Sequence, residues 1–391
     1  MTKLRTAVVS SKGAARWAAG HPWIYRTDVY DAPRESAGIV TVTDRRGKHL
    51  GQALYSPKSE IRLRLLTRGT EPVDGTWWST KIGQALARRR GIEEHTSAYR
   101  VVHAEADGLP SFVLDRYGSY AVAQLLSAGL EAVRDDVVAG IRYALSPDGL
   151  LLRNDAAIRR HERLPLEIVP AIGTVPETVE VTEAGTRYLA APWSGQKTGA
   201  FLDQRENRVR VGALSGARAL DLFTYHGSFA LHLARRATEV LAVDSSTEAL
   251  ERGRQNAALN GLTNITWREA NAFDLLRQLE RQDERFDTIV LDPPAFAKTK
   301  DSLERALTGY KEINLRAMRL LSPDGVLFTC SCSYHVHRAA FGGMLADAAR
   351  DSGRRLRLLA WLGAASDHPE LLNVPETGYL KGALVQAVAI D

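Results

Sequence analysis

The chain has 391 residues, more than one hydrophobic core usually supports, so we expect two or three domains. With 45% hydrophobic and 25% charged residues, its composition is that of a folded globular protein and excludes wholesale disorder. No signal-peptide core and no run of about 18 apolar residues occurs, so we expect a cytoplasmic protein without a membrane partner. The two cysteines, Cys330 and Cys332, are too few and too close for a disulfide framework or a zinc site, and we predict no metal.

Positive charge is concentrated at the start of the chain. Residues 1–70 contain 13 Lys and Arg against 5 Asp and Glu, whereas the whole chain carries a formal charge of +5. The rest of the chain is therefore slightly negative. A basic segment beside a near-neutral one is typical of a phosphate-binding module attached to an enzyme. The alternative is a merely solvated basic surface.

The basic segment carries the pattern of β-strands. Ile61, Leu63 and Leu65 alternate with Arg62 and Arg64, which predicts a strand with one apolar and one guanidinium face. We therefore predict a small β-barrel with a basic outer face.

Strands and helices alternate regularly in the last part of the chain, which predicts a doubly wound parallel sheet. We divide the chain into a β-barrel domain at 1–72, a central α+β domain at 73–185 and an α/β domain at 186–391. In such a sheet, ligands bind at the carboxyl ends of the strands. The predicted strands run over 217–223, 239–244, 265–269, 286–292, 325–331, 356–361 and 382–388.

Two strand ends predict a nucleoside site. Gly227, at the start of a helix, would let the backbone approach a ligand, and Asp244 could accept hydrogen bonds from both ribose hydroxyls. The glycines of the dinucleotide pattern G-x-G-x-x-G are absent, which disfavours NAD. A ribose acceptor without a phosphate grip suits S-adenosylmethionine. The alternative is that Asp221, Asp244 and Asn271 only satisfy loop amides.

Two further strand ends carry reactive groups. Asp292-Pro293-Pro294 ends a buried strand rigidly and could grip a planar base. Cys330 and Cys332 are two residues apart on the next strand, so both sulfur atoms can point to one side, with Cys332 nearer the ligand edge. A thiolate there could add to C6 of a pyrimidine and activate C5 for methylation. Two inert buried thiols are the alternative.

Several short strings of the chain together resemble those of the bacterial 23S ribosomal RNA cytosine-C5 methyltransferases that carry an N-terminal PUA domain. The likeness spans the whole chain. The strings are 20–25 (GHPWIY), 104–110 (AEADGLP), 195–205 (GQKTGAFLDQR), 292–294 (DPP), 309–314 (GYKEIN), 331–333 (SCS), 367–369 (DHP) and 379–382 (YLKG).

This resemblance implies a Rossmann-like class I methyltransferase domain with a seven-stranded sheet, preceded by a PUA domain that binds ribosomal RNA and by the central domain. It implies S-adenosylmethionine as the cofactor. It does not decide whether the chain forms a homodimer. It assigns Cys332 as the nucleophile, because the likeness centres on the Ser-Cys-Ser triplet, with Asp292 beside it in the reaction. The implied cofactor contacts are Phe201, Asp203, Gly227, Asp244, Asn271 and Asp292, and we add Asp221 and Tyr225, from the first strand end and its loop, as predicted contacts.

The chain departs from related enzymes at two positions. Asn271 stands where they usually have an acidic residue, so a contact to the adenine amino group would be altered. Ala295 stands where many have a second cysteine, so the group that removes the C5 proton is open. Lys298, Lys300 and a water held by Asp292 are the candidates.

Three other functions compete with cytosine-C5 methylation. Methylation of a base nitrogen would need neither thiol, but it usually uses an aromatic residue at the position of Ala295, although Phe296 is adjacent. A catalytically silent ribosome assembly factor is disfavoured because the chain has Gly227, Asp244, Asp292 and Cys332. A nicotinamide dehydrogenase rests on fold analogy alone.

Overall fold

The computed structural model describes residues 5–33, 36–296 and 303–388 of the chain. They form two compact units that are discontinuous in sequence. The first unit comprises the residues up to 183 together with 190–202 and 367–377, and the second comprises 184–189, 203–366 and the residues from 378 onward. The three-domain division at 72 and 185 stays a prediction.

The N-terminal part of the first unit is a six-stranded sheet whose core contains Trp17, Ile24 and Leu63. It is built from β1 (Arg5–Val9), α1 (Ser11–Ala18), β2 (Trp23–Tyr25), β3 (Val29–Asp31), β4 (Gly38–Asp44), β5 (His49–Tyr55) and β6 (Ile61–Thr67), with a 3-10 turn at Arg26–Asp28. The strand order is β2-β6-β5-β4-β1-β3. Strands β1 and β4 pair in parallel and the other neighbours pair antiparallel.

The predicted exposed guanidinium face of β6 is wrong for Arg64. Its side chain is buried, and its guanidinium donates to the Glu162 carboxylate at 3.0 Å within the first unit. Alternation in a strand predicts which residues share a face, but it does not predict that a later segment of the chain covers that face. The basic outer face therefore loses one of its predicted members.

The rest of the first unit is organised around a five-stranded sheet in the order β11-β10-β9-β8-β7, with Trp78, Phe112 and Ile141 in its core. Strands β9 and β10 pair in parallel and the other neighbours antiparallel. The elements are α2 (Gly75–Ala87), β7 (Ala98–His103), β8 (Phe112–Tyr117), β9 (Tyr120–Leu125), α3 (Ala128–Glu131), α4 (Arg134–Leu145), β10 (Gly149–Asn154), β11 (Glu167–Gly173) and β12 (Val179–Glu183), with 3-10 turns at Ile92–Glu94, Ala104–Asp107, Ala157–Arg160 and Pro375–Thr377.

The second unit contains a seven-stranded sheet with helices between its strands. After a short strand, β13 (Thr186–Ala190), and a 3-10 turn at Leu202–Gln204, its elements are α5 (Arg205–Ala213), β14 (Arg218–Leu222), α6 (Ser228–Ala234), β15 (Glu239–Asp244), α7 (Thr247–Leu259), β16 (Ile265–Glu269), α8 (Ala272–Arg281), β17 (Phe286–Leu291), α9 (Leu303–Arg319), β18 (Leu321–Ser331), α10 (Arg338–Ser352), β19 (Arg355–Leu362) and β20 (Lys381–Val388).

The order of this sheet is β16-β15-β14-β17-β18-β20-β19. The first five strands are parallel, and β20 pairs antiparallel with both of its neighbours. All seven predicted strands are present, two with the predicted bounds, so the predicted Rossmann-like class I fold is confirmed. The strand order reverses at β14, so a ligand crevice is expected outside the carboxyl ends of β14 and β17. Among the described residues, no helix is both long and apolar enough to cross a membrane.

Glu162 provides a measurable test of the packing in the first unit. It accepts hydrogen bonds from Ser59 Oγ at 2.5 Å and from the Ala128 amide at 3.1 Å, in addition to Arg64. Burial raises the pKa of Glu162, but Arg64 and these hydrogen bonds outweigh burial and lower the pKa below its ordinary value of 4.5. The stability that this carboxylate contributes is therefore complete at neutral pH and is lost as the pH falls below that value.

We predict that Glu162→Ala lowers the free energy of unfolding of the first unit by about 3–5 kcal/mol at pH 7, because Arg64 would keep a buried charge without its counter-ion. Urea denaturation, monitored by tryptophan fluorescence, measures this change in the free energy of unfolding. Glu60→Ala is the matched control, because Glu60 pairs with Arg26 on the exposed surface at 3.3 Å and such pairs contribute about 0–1 kcal/mol. Equal destabilisation by the two substitutions would contradict the prediction.

Candidate active site

Asp221 is the last residue but one of β14 and holds the loop that follows. Its Oδ2 accepts from Thr224 Oγ1 at 2.5 Å and from the Ala230 amide at 2.9 Å, while its buried Oδ1 has no hydrogen-bond partner among the described residues. Burial is the largest cause that raises the pKa of Asp221; the two hydrogen bonds lower it, the nearby Asp292 and Asp244 raise it, and together these effects bring it to about 7. Three predicted site carboxylates are therefore close enough to interact.

The loop between β14 and α6 has a strained backbone. Phe223, Tyr225 and Gly227 have φ angles of 64°, 53° and 85°, in the left-handed region that non-glycine residues rarely adopt. A Cβ on Gly227 would lie 2.4 Å from the ring of Trp267. This packing against Trp267 is a reason for glycine that the sequence did not indicate, and the predicted cofactor contacts of Tyr225 and Gly227 stay predictions.

Asp244 and Asn271 both orient loops at the same edge of the sheet. Asp244 accepts from the Tyr225 amide at 2.9 Å and from the Ser246 amide at 3.0 Å. Asn271 is the N-cap of α8, and its Oδ1 accepts from the amides of Phe273 and Asp274 at 2.9 and 3.4 Å. Both side chains therefore do accept hydrogen bonds from loop amides, which was the alternative role for them. Their contacts with the ribose and the adenine stay predictions.

The two cysteines differ in environment. Cys330 is fully buried; its thiol donates to Asp292 Oδ1 at 2.9 Å, and Gln204 Nε2 donates to its sulfur at 3.3 Å. Burial, and then the charge of Asp292, raise the pKa of Cys330 well above its ordinary value of 9.0. Cys332 is partly exposed and packs against the same apolar cluster as Cys330. The two sulfur atoms thus lie on one side of the sheet, as their spacing predicted.

Ser331 and Ser333 point to the opposite side, toward α9. Ser331 Oγ donates to the Tyr310 hydroxyl at 3.0 Å, and this hydroxyl lies 2.9 Å from Ser333 Oγ. Lys381 Nζ donates to the Ser333 carbonyl at 2.7 Å. We did not predict a role for Tyr310, Lys381 or Gln204. Their only sequence signal was membership of the strings 309–314, 379–382 and 195–205.

Asp203 and Phe201 lie in different units of the structure. Asp203, in the second unit, is buried and accepts from the Tyr379 hydroxyl at 2.6 Å. Phe201 belongs to the first unit, where Lys197 Nζ lies 4.7 Å from its ring centroid. Their predicted contacts with the cofactor stay predictions. Lys298 and Lys300, two of the proton-acceptor candidates, lie outside the described residues.

The acidic strand ends fit S-adenosylmethionine. This molecule carries a sulfonium and an ammonium cation beside an adenosine, and neighbouring carboxylates favour cations. Asp221, Asp244 and Asp292 provide such carboxylates, and the buried Asp221 Oδ1 remains available as an acceptor. The same charges would repel a pyrophosphate, consistent with the missing dinucleotide glycines.

Sequence comparisons agree with the predicted N-terminal PUA domain and with the methyltransferase fold of the second unit. Residues 8–68 match the PUA-like domain family, and residues 159–385 match the S-adenosylmethionine-dependent methyltransferase family. The chain is 38% identical over 376 residues to ribosomal RNA large subunit methyltransferase I of Klebsiella pneumoniae strain 342, which covers 93% of each chain. It is also 38% identical over 379 residues to the protein of that name from Tolumonas auensis, covering 94% of this chain and 96% of the other.

Solved structures share the fold at lower sequence identity. A chain from Streptococcus mutans described as a SAM-dependent methyltransferase is 20% identical, has a TM-score of 0.82, and covers 97% of this chain and 99% of that one. A second structure, described as a methyltransferase complexed with SAH, is also 20% identical, has a TM-score of 0.83 and covers the same shares. The chain therefore belongs to the S-adenosylmethionine-dependent methyltransferase family, in the group of the ribosomal RNA large subunit methyltransferases I.

Proposed function

We propose that this chain methylates C5 of a cytosine in 23S ribosomal RNA, with Cys332 as the nucleophile. The names of the full-length relatives support large-subunit ribosomal RNA as the substrate. The observation that carries the choice of nucleophile is the difference between the thiols. The Cys330 thiol donates a hydrogen bond to Asp292 and has a raised pKa, whereas Cys332 is partly exposed at the carboxyl end of the strand.

The proposed chemistry needs one nucleophile and one base. The Cys332 thiolate forms a bond to C6 of the cytosine, and the electron pair of the C5–C6 double bond then makes C5 nucleophilic. When bound, S-adenosylmethionine would supply the methyl group: the bond between the methyl carbon and the sulfonium sulfur would break as the bond to C5 forms, and the sulfur would keep the electron pair as a neutral thioether. A base removes the C5 proton, the sulfur–C6 bond breaks, and the double bond and the thiolate are restored. Atoms and electrons therefore balance without an oxidant or a metal.

Asp292 is proposed to orient groups on the substrate side of this reaction. One carboxylate oxygen accepts a hydrogen bond from the Cys330 thiol, which holds the Asp292 side chain at the end of β17. The two prolines that follow keep the turn rigid. Asp292 is thus a candidate to contact the base directly or to hold the water that removes the C5 proton.

The cofactor contacts of this proposal lie at the carboxyl ends of β14, β15 and β17. Asp244 would accept hydrogen bonds from the ribose hydroxyls, while Asp221 and Asp292 would face the cationic methionine moiety of S-adenosylmethionine. The strained loop with Tyr225 and Gly227 would border the adenosine, and Asn271 would lie by the adenine. Phe201 and Asp203 complete the proposed set.

The first unit is proposed to bind the RNA. Its PUA-like domain lies in the strongly basic segment, and basic groups bind phosphates without sequence preference. Tyr30 is exposed, and the Arg45 guanidinium lies 3.5 Å from its ring centroid. An aromatic ring beside a guanidinium suits a nucleotide, which has both a base and a phosphate. A homodimer and a cytoplasmic location stay predictions.

Methylation of a base nitrogen is the second candidate, and Phe296 bears on it. Its ring centroid lies 4.5 Å from that of Tyr310 and 6.0 Å from that of Phe273, so the ring packs within the second unit. This packing disfavours Phe296 as a substitute for the aromatic residue that base-nitrogen methylation usually places at position 295.

A silent assembly factor would bind ribosomal RNA but not S-adenosylmethionine, and calorimetry with the cofactor separates it from an enzyme.

We predict that Cys332→Ala lowers methyl transfer to 23S ribosomal RNA by roughly 10³-fold or more, because a nucleophile cannot be replaced by its neighbours. Mass spectrometry of nuclease-digested RNA, from a host with and without the gene, measures 5-methylcytosine. Cys330→Ala is the control and should retain at least about one-hundredth of the activity, since a hydrogen bond to a charged group contributes about 1.5–3 kcal/mol. Normal methylation by Cys332→Ala, with loss of methylation in Cys330→Ala, would reverse our assignment.

We predict that S-adenosylmethionine binds more tightly as the pH rises from 6 to 8. The pKa of Asp221 is raised to about 7, so its carboxylate gains its negative charge over this range and attracts the cationic cofactor. Calorimetry should show the Kd falling by up to about tenfold, and Asp221→Asn should remove most of this dependence. Asp274→Asn, on the exposed surface of α8, should keep it. A Kd equally pH-dependent in the Asp221 variant would contradict the role of this group.

A further inference from the structure

Tyr310 joins the two segments that carry the proposed reacting groups. Its hydroxyl accepts from Ser331 Oγ at 3.0 Å and lies 2.9 Å from Ser333 Oγ, so both serines that flank Cys332 reach the same oxygen atom. The Ser333 amide also donates to Ser331 Oγ at 3.2 Å. The triplet is therefore closed into a compact turn whose serines face α9 and whose cysteine faces the other way.

The same hydroxyl reaches the segment after β17. The Phe296 amide donates to it at 3.5 Å, and the two rings lie 4.5 Å apart. Phe296 is four residues after Asp292 and follows the two prolines. Tyr310 itself is fully buried, and its ring packs edge-on against Phe341 at 6.2 Å. Burial raises the pKa of Tyr310, so the hydroxyl stays protonated and able to donate.

Lys381 holds the triplet from β20. Its ammonium is nearly buried and donates to the carbonyl oxygens of Ser333 and Tyr379, each at 2.7 Å. The Tyr379 hydroxyl in turn donates to Asp203 Oδ2 at 2.6 Å. Hydrogen bonds, linked through the covalent atoms of Tyr379 and Ser333, thus connect a predicted cofactor residue to the triplet and to Tyr310.

We propose that Tyr310 and Lys381 are positioning residues that hold Cys332 in place relative to the Asp292 turn. This inference rests on the proposed function, because the position of Cys332 matters for the rate only if Cys332 is the nucleophile. Cys332 lies just beyond the last residue of β18, so the sheet ladder does not hold it. A nucleophile displaced by about 1 Å can lose about 10²-fold in rate. Hydrogen bonds on both sides of Cys332 restrict such displacement.

A purely structural role for Tyr310 makes a different prediction. If the residue only fills the core, its ring is what matters, and Tyr310→Phe retains the ring and its packing against Phe296 and Phe341. If the hydroxyl positions the triplet, Tyr310→Phe lowers the chemical rate while the fold and the cofactor site persist. Replacing this one hydroxyl group by hydrogen therefore separates the two roles.

The test compares Tyr310→Phe with wild type and with Tyr143→Phe, an exposed tyrosine on α4 of the first unit. We expect kcat for methyl transfer to 23S ribosomal RNA to fall about 10- to 100-fold, with the KM for RNA and the Kd for S-adenosylmethionine within about twofold. Tyr143→Phe should match wild type. An unchanged kcat, or a loss explained by weaker cofactor binding, would overturn the proposal.

A second measurement follows covalent capture directly. RNA transcribed with 5-fluorocytidine should trap the Cys332 adduct, because fluorine at C5 blocks the proton removal that releases the enzyme. Tyr310→Phe should form the denaturant-stable complex more slowly, and Ser333→Ala should slow it in the same way. Tyr310→Phe and Ser333→Ala each remove one side of the same contact. The rate of complex formation in the double variant should therefore fall by less than the product of the two single-variant factors. Fully multiplicative losses would contradict a shared contact.

Cys332→Ala measured beside these variants separates the two proposals. If Cys332→Ala still methylates, the proposed nucleophile is wrong and the positioning role falls with it. If Cys332→Ala is inactive while Tyr310→Phe traps RNA at the wild-type rate, only the positioning role is wrong. Lys381→Met should reduce kcat and leave the cofactor Kd unchanged, and restoration of the rate in Lys381→Arg would show that a cationic donor is what matters.

Discussion

Parallel pairing of β14, β15, β17 and β18 is the constraint on which the candidate site depends. Parallel neighbours end at the same edge of a sheet, so side chains far apart in sequence meet there. The registers Asp221↔Ala242 and Asp221↔Val290 place the end of β14 beside the ends of β15 and β17. Without this pairing, the three carboxylates and the two cysteines would have no common edge.

The acidic edge has an electrostatic cost that also determines what it can bind. Burial and two neighbouring carboxylates raise the pKa of Asp221, which means that its charged form is destabilised. A cationic ligand relieves this repulsion, whereas a phosphate would add to it. The strained backbone at Phe223 and Tyr225 indicates that the loop beside these carboxylates is held by its surroundings rather than by local preference. The proposed cofactor site thus contains a destabilised carboxylate and a strained loop, each of which is unfavourable on its own.

The two thiols illustrate how environment separates residues of one type. Spacing predicted one side of the sheet for both thiols, with Cys332 nearer the ligand edge, but it did not predict how their surroundings differ. The hydrogen bond from Cys330 to Asp292 and the partial exposure of Cys332 distinguish them. A buried thiol next to a carboxylate stays protonated because its thiolate would lack solvation and meet a like charge. Cys330 is then a donor that orients Asp292.

Local sequence determined the strands, their order along the chain and the polar residues that end them, because a buried parallel strand must be apolar and stops at a turn residue. It also predicted the site residues at those ends. The partners of these residues depend on tertiary structure: Arg64 pairs with Glu162, Gly227 packs on Trp267, and Tyr310 meets Ser331. Each pair joins residues far apart in the chain, and periodicity carries no information about such contacts. Tertiary packing decided them; in the second unit, for example, the packing of α9 on the sheet brings Tyr310 against the Ser-Cys-Ser triplet.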